Sequence, residues 1–305
     1  MAIDIVGDLA TLALLALTTM VPITLAALGE IVSERAGIVN IGLEGIMLAA
    51  AWIAVAVYLA LDAGPLGGYI AGGILGAILG FLHGIVSVKL KGDQIVSGIG
   101  LNLAAAGATV LGTYALWGVF SNSPPVDPAR GLAVVNGIKI SFMVPLTIAL
   151  GAALWTFLYK TVWGLRLRSC GEDPRSAEAM GVNVERYQIA ASTFSGFLAG
   201  LAGAYLSVDR QGGFIKEMTA GRGFIALANV AFSGWNPLMA LAGGYLFGLF
   251  EAIAVYINVA FEGLEPRYSI LVNVIPYAAT LTVVVVVARR RVKIPKWLGR
   301  PYVRE

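Results

Sequence analysis

The chain holds one cysteine and one histidine in 305 residues, and only 13% of its residues are charged. With Cys170 alone, no internal disulfide and no paired thiolate metal site can form. No close constellation of His, Cys and carboxylates supports an enzyme reading. There is no Gly-x-x-x-x-Gly-Lys-[Ser/Thr] loop, and no Gly-Lys pair at all, so the chain does not cradle ATP phosphates in the Walker manner. No basic residue precedes Arg35, while Asp4 and Asp8 precede the first apolar stretch, so a cleaved signal peptide is not expected.

What fills the chain instead is apolar sequence. Hydrophobic residues make up 58% and mean hydropathy is +0.82, a balance no water-soluble core accommodates. The bilayer is the implied solvent, and the 38 glycines suit helices that approach closely through small-residue faces. Apolar runs lie at 9–32, 37–61, 65–88, 95–120, 140–162, 187–208, 221–234, 237–260 and 269–288. Most have about the 20 residues that a helical crossing needs, but 221–234 is short enough to imply a broken or half-crossing helix. Nine crossings place the two ends on opposite sides.

Basic residues set the orientation. With the N-terminus outside, the inner segments hold Arg35; Lys89 and Lys91; Lys160, Arg166, Arg168, Arg175 and Arg186; and Arg289, Arg290, Arg291, Lys293, Lys296, Arg300 and Arg304 of the tail. The outer segments keep only Arg130, Lys139, Arg210, Lys216, Arg222 and Arg267. The net charge of +3 therefore reflects membrane flanks and gives no reason to expect nucleic acid. Trp117, Trp155, Trp163 and Tyr187 read as interface anchors. An internal echo appears as well: Pro65 leads to Gly72 and Gly76, and Pro237 to Gly244 and Gly248, at equal offsets and in helices of opposite direction. That fits an inverted repeat, although glycine-rich helices also match by chance.

Two segments carry polar information. In 33–45, SERAGIVNIGLEG, Glu44 sits inside an apolar run, where a carboxylate must find a partner; both a structural brace and a substrate ligand satisfy that demand. In 171–182, GEDPRSAEAMGV, Asp173 suits an N-cap, Pro174 the first helical position and Gly181 a C-terminal stop. The result is a helix of about two turns, too short to persist in water unless it packs on something. Ser176, Ala177 and Ala179 offer it a flat face. Asn40, Asn102, Asn229, Asn258, Asn273, Glu251 and His83 are the remaining polar residues at apparent membrane depth. Neutral Asn offers both donor and acceptor to a hydroxylated substrate, and equally serves as glue between helices. Cys170 is a small residue beside the capped helix, and His83 reads as packed or hydrogen-bonded.

The 33–45 string, GLRLR at 164–168 leading into 171–182, and GRGFIALA at 221–228 followed by WNPL at 235–238 occur in one order. With DQIVSG at 93–98 through Asn102, they resemble the permease subunits of ABC importers, above all the branch for nucleosides and simple sugars, related to ribose and branched-chain amino acid permeases. The resemblance covers most of the chain. It implies an all-α integral membrane protein with the fold of large-cavity importers, one permease domain over 1–305, a coupling loop at 164–188 and a basic cytoplasmic tail at 289–305. It further implies that Gly171, Glu172, Asp173, Pro174, Arg175, Ser176, Ala177, Ala179 and Gly181 couple to separate ATPase subunits. Those partners would hold ATP-Mg, leaving no cofactor in this chain. Asn40, Glu44, Asn102 and Asn229 are the substrate-path candidates, and no metal is expected. The other partners implied are a second permease subunit, expected to be a paralogue, an external substrate-binding protein and membrane lipid of the inner membrane. Sparse charges near the outer loops (Asp127, Arg130, Asp209, Arg210, Lys216, Glu217, Glu262, Glu265, Arg267) serve as docking groups for that protein or as ordinary solvated residues. A branched-chain amino acid permease and a stand-alone ion-driven carrier are the competing readings; the latter has no need of the capped helix.

Overall fold

The computed structural model describes residues 5–128, 131–135, 137–260, 266–288 and 293–303, without side chains at 5–8, 266–267, 284 and 286–288. Arg130, Glu262, Glu265, Arg289, Arg290, Arg291, Arg304 and Asp4 lie outside the described residues, as do the side chains of Asp8 and Arg267. The helices are α1 (Ile5–Arg35), α2 (Leu43–Leu61), α3 (Gly64–Gly84), α4 (Gln94–Trp117), α5 (Met143–Lys160), α6 (Val162–Glu172), α7 (Pro174–Ala179), α8 (Val184–Ala204), α9 (Arg222–Ser233), α10 (Pro237–Ala260) and α11 (Pro266–Ala288). α3 and α8 each run on into a wider π-helical segment, Ile85–Lys89 and Tyr205–Gln211. A small antiparallel hairpin, β1 (Ala133–Val135) and β2 (Ile138–Ile140), interrupts the chain between α4 and α5.

Seven of these helical stretches are long and apolar enough to cross a bilayer among the described residues: Leu9–Arg35, Leu43–Leu61, Gly64–Lys89, Gln94–Trp117, Met143–Lys160, Val184–Gln211 and Pro237–Ala260. Seven of the nine sequence-read runs thus meet the length criterion among the described residues. α9 has 12 residues, about 18 Å at 1.5 Å per residue, far short of a 30 Å hydrocarbon core. α11 has 23 residues and stays apolar to Ala288. Residues 36–42 form no helix, so α2 begins six residues later than hydropathy suggests. Gly37 turns the chain there with φ of +98°, a conformation that side-chain-bearing residues rarely adopt.

α1 is the central post. α10 packs along one side of it, α8 along another, and α3 lies on α8, while α2 sits among α3, α8 and α4. Pro22 lies inside α1 and lacks the N–H that the Thr18 carbonyl would otherwise accept from. The Tyr205 hydroxyl fills that place, donating to Thr18 O at 2.9 Å. The structure thereby satisfies a backbone group with no water needed, the general requirement of a lipid-embedded helix.

The α3–α8 seam is made of backbone. A Cβ added to Gly76 would fall 2.7 Å from Gly200 Cα, and one added to Gly80 would fall 2.5 Å from Ser192 O; Gly196 meets Gly76 and Gly80 reciprocally. Ser192 Oγ also donates to Gly80 O at 2.7 Å across the same seam. The glycine spacing noted in the sequence therefore has a use in both places where it occurs: Gly72 and Gly76 face α8, and Gly244 and Gly248 face Thr24, Ala16 and Met20 of α1. Replacing Gly76 or Gly196 with leucine is expected to separate the two helices and to cut the yield of monodisperse detergent-solubilised protein severalfold. Fluorescence-detected size-exclusion chromatography of tagged variants measures this; wild-type yield for both would refute the close-approach account.

Candidate functional site

The first N–H groups of α9 have no partners within the helix, as at any helix start. Glu44, in the first turn of α2, supplies both acceptors: Gly221 N donates to Oε1 and Gly223 N to Oε2, each at 2.7 Å. The N-terminal ends of the two helices meet at this carboxylate, where the partial positive charge of a helix start favours an anion. Gly223 is required for the approach, since a Cβ there would fall 2.5 Å from Glu44 N.

The same junction uses Asn40 and Asn102. Asn102 Oδ1 accepts from Gly45 N at 2.7 Å and its Nδ2 donates to Ile41 O at 3.1 Å, tying α4 to the entry of α2. Asn40 Oδ1 accepts from Gly42 N at 2.9 Å, and Asn40 N donates to Glu30 Oε1 at 2.7 Å. Three of the four substrate-path candidates therefore converge, and each is engaged by backbone. Asn229 lies apart, in the middle of α9, donating to Ala240 O at 3.0 Å. His83 is likewise a tie: Nε2 bonds Val39 O at 2.9 Å and so carries the proton, leaving Nδ1 to accept from Ser97 Oγ at 3.0 Å. Asn258 and Asn273 bond each other at 3.0 Å between α10 and α11.

Sequence reasoning did not find two further constellations. Glu30 and Glu34, one turn apart on α1, are both buried. Glu30 also accepts from Ser195 Oγ at 2.8 Å, and Glu34 accepts from Trp235 Nε1 at 2.5 Å. Arg210 and Arg222, which the sequence reading places in outer segments, converge on Glu251 in the middle of α10, each Nη2 lying 2.7 Å from Oε1. Their signal was Glu251 itself: a carboxylate in an apolar helix demands a cation, and Arg222 opens the one helix too short to cross.

The second element of the site is α7. Asp173 caps it, with Oδ1 accepting from Ser176 N at 3.2 Å and Oδ2 from Ser176 Oγ at 2.5 Å. These bonds hold the exposed carboxyl below its ordinary range, so the charged cap persists above that range and is lost as pH falls through the lowered value. Gly181 ends the turn with φ of +82°. Within the 171–182 segment, Gly171 and Glu172 finish α6 and α7 begins at Pro174 after the Asp173 cap, as the sequence signals, with six residues. Gly171 is packed so closely on α1 that a Cβ would strike the Arg35 carbonyl.

The faces of α7 are distinct. Pro174 and Ala177 point inward, and Ala177 forms a cluster with Cys170, Val184 and Tyr302. Burial pushes the Cys170 thiol up to about 12, so it stays protonated and inert near neutral pH. Arg175, Ser176, Ala179 and Met180 point outward, Met180 being 85% exposed. The segment 293–303 straps this assembly: Trp297 N donates to Gly171 O at 2.9 Å, Gly299 N to Gly37 O at 3.1 Å, and the Tyr302 hydroxyl to Glu178 Oε2.

The Glu44 geometry makes a separable prediction. Glu44→Gln keeps one carbonyl acceptor and is expected to fold, whereas Glu44→Ala leaves two buried N–H groups unpaired, at a cost of about 1–3 kcal/mol each. Membrane abundance should therefore drop for Ala and hold for Gln. Normal abundance of Glu44→Ala with weakened uptake would show instead that the residue serves the substrate.

Comparison with known proteins fits this architecture. Residues 12–286 match the family model described as branched-chain amino acid transport system / permease component. The chain is 33% identical over 299 residues to the nucleoside ABC transporter permease protein NupC of Lactococcus lactis, covering 93% of each chain. It is 31% identical over 321 residues to the guanosine ABC transporter permease protein NupQ of Bacillus subtilis, covering 99% of each. A permease protein of Haloferax volcanii assigned to a glucose ABC transporter is 32% identical over 312 residues, covering 92% of this chain and 94% of its own. This multi-pass helical chain, matched across nearly its whole length, belongs to the permease-component family of ABC transporters.

Proposed function

We propose that the chain forms half of the translocation path for a nucleoside in an ATP-driven importer. It works with a second permease subunit, two ATPase subunits and an external substrate-binding protein. The observation that carries this is α7: a six-residue helix with a satisfied cap, an inner face held by Tyr302 and Cys170, and an exposed outer face of Ser176, Ala179 and Met180. So short a helix keeps its shape only because it is braced from behind, which suits a lever that a separate motor pushes. The nucleoside assignment is supported by the two relatives named for nucleosides and guanosine, each similar along nearly its full length. The Haloferax relative favours a hexose as the second reading.

In this reading α7, the 293–303 strap and the last turn of α1 are cytoplasmic, which the cluster of Arg166, Arg168, Arg175, Lys293, Lys296 and Arg300 around them supports. The hairpin β1–β2 and residues 121–128 then lie outside. The architecture also reads as an inverted repeat of α1–α4 and α8–α11. α1 and α8 pack together, α10 lies on α1 as α3 lies on α8, and the second members, α2 and α9, meet start to start at Glu44. The chain after each first helix carries an acid-arginine pair and a left-handed glycine: Glu34-Arg35 with Gly37, and Asp209-Arg210 with Gly212.

The function is tested by expressing the chain with its partner subunits and measuring uptake of labelled guanosine and glucose; uptake of glucose alone would transfer the assignment to the hexose reading. For the docking face, Ala179→Arg and Met180→Glu are expected to lower ATPase co-purification more than about tenfold while the permease stays inserted, as loss of a central contact does at other interfaces. Unchanged association and unchanged transport in both variants would remove α7 from that role.

A further inference from the structure

Thr161 separates α6 from α5: its backbone is extended, and its hydroxyl accepts from Gly164 N at 3.1 Å to open the new helix. Gly164 packs against the last turn of α5, where a Cβ would fall 2.1 Å from Phe157 O. α6 therefore turns off where the α5 span ends. Its 11 residues, about 17 Å at 1.5 Å per residue, are too few for a crossing of their own. The inner face, Gly164, Leu167, Cys170 and Gly171, is buried. The outer face is not polar, for Val162, Trp163 and Leu165 are 62%, 61% and 59% exposed, with Arg166 exposed beside them. Three large apolar side chains on one short helix do not suit open water.

Ring contacts fix the height of this face. Trp163 stands 6.4 Å from Tyr187 in the first turn of α8, and Trp155 stands 6.1 Å from Tyr159 in the last two turns of α5. Both are ends of bilayer-length helices, so the start of α6 is level with the headgroup layer, where amphipathic rings collect. Charge at this corner has one sign. No Asp or Glu occurs between Asp127 and Glu172. Lys160 Nζ lies 5.6 Å from the Trp155 ring centre and Arg166 Cζ lies 5.5 Å from that of Trp163; both residues are exposed, and neither pairs with a carboxylate among the described residues. Arg168 is instead half-buried over Tyr159, at 5.0 Å. Two exposed cations held on ring faces at headgroup height call for an anion from the leaflet, and the apolar side chains beside them suit its glycerol and upper acyl carbons. α7 has no aromatic residue and exposes Ser176, Ala179 and Met180, so the two neighbouring helices present different surfaces.

We infer that the α5–α6 corner is a binding site for an anionic phospholipid, with Lys160 and Arg166 on the headgroup phosphate and Trp163 and Leu165 along the glycerol and upper acyl chain. The site does not depend on which substrate is transported. It is tested on the full transporter complex, delipidated in detergent, held on resin by an affinity tag and titrated with tritiated phosphatidylglycerol or with phosphatidylcholine of the same chains. Lys160→Gln combined with Arg166→Gln is expected to weaken phosphatidylglycerol retention more than about tenfold and to leave phosphatidylcholine within about twofold. Trp163→Ala is expected to weaken retention of both lipids. A millimolar excess of inorganic phosphate is expected to displace neither, which separates a lipid site from one for the free ion. Unchanged phosphatidylglycerol retention in the double variant, an equal fall for both lipids there, or displacement by phosphate would overturn the site. Loss of the ATPase subunits from the double variant with phosphatidylglycerol still retained would overturn it too and give the face to the ATPase. Should the double variant not assemble, the wild-type complex decides: raising salt from about 0.05 M to about 0.5 M is expected to release phosphatidylglycerol and not phosphatidylcholine, and salt-independent retention of phosphatidylglycerol would refute the charged contact.

Discussion

The constraint on which the structure depends is that a helix beginning inside an apolar bundle must find acceptors for its own backbone. At the N-terminal end of α9 that acceptor is Glu44, which takes both Gly221 N and Gly223 N. Meeting that demand fixes much else. Glu44 must sit at the first turn of α2, so α2 must itself begin inside the bundle. The peptide groups around that second start then need Asn40 and Asn102. One carboxylate and two amides thus hold α2, α4 and α9 in a fixed relation, and the cost of disturbing any one of them falls on backbone groups with no water to replace the lost bond.

Polar ties of this kind work together with close packing. Among lipid-facing helices there is little hydrophobic gain in sequestering one apolar side chain against another, so contact between backbones and hydrogen bonds across helices carry the association. The α3–α8 seam supplies the first, with Gly76, Gly80, Gly196 and Gly200 interleaved. The Tyr205 hydroxyl at the Pro22 gap and the Thr19 hydroxyl on Gly248 O, at 2.7 Å, supply the second. α1 is therefore bound to α8 and α10 at defined heights, with little freedom to slide along either.

What was legible in the sequence was local. Asp173, Pro174 and Gly181 mark α7 because a cap, a first-turn proline and a terminal glycine act within a few residues of one another. The apolar runs located the long helices to within a few residues, since composition alone decides them. The start of α2 was misplaced because the loop of 36–42 is held by distant partners: Gln94 Oε1 accepts from Val39 N at 2.7 Å, and Glu30 accepts from Asn40 N. No periodicity in the segment itself reports such bonds. The pairing of Arg210 and Arg222 with Glu251 went unread for a related reason: a basic residue beside glycines at the edge of an apolar run has the same local appearance whether it faces water or a carboxylate on another helix. Only the need of Glu251 for a counter-charge distinguishes the two cases, and that need belongs to a different part of the chain.

The strap at 293–303 bears on the order of events during synthesis. Domains and segments form as they emerge, beginning with the N-terminal ones. α6 and α7 are made well before the residues that brace them, because Trp297 and Tyr302 follow α8 to α11 in the chain. A nascent chain therefore displays α7 with its inner face unsupported, and its outer surface becomes rigid only when the strap folds back onto Gly171 and Ala177. On the proposed docking role of α7, assembly with an ATPase would be tied to completion of the membrane domain.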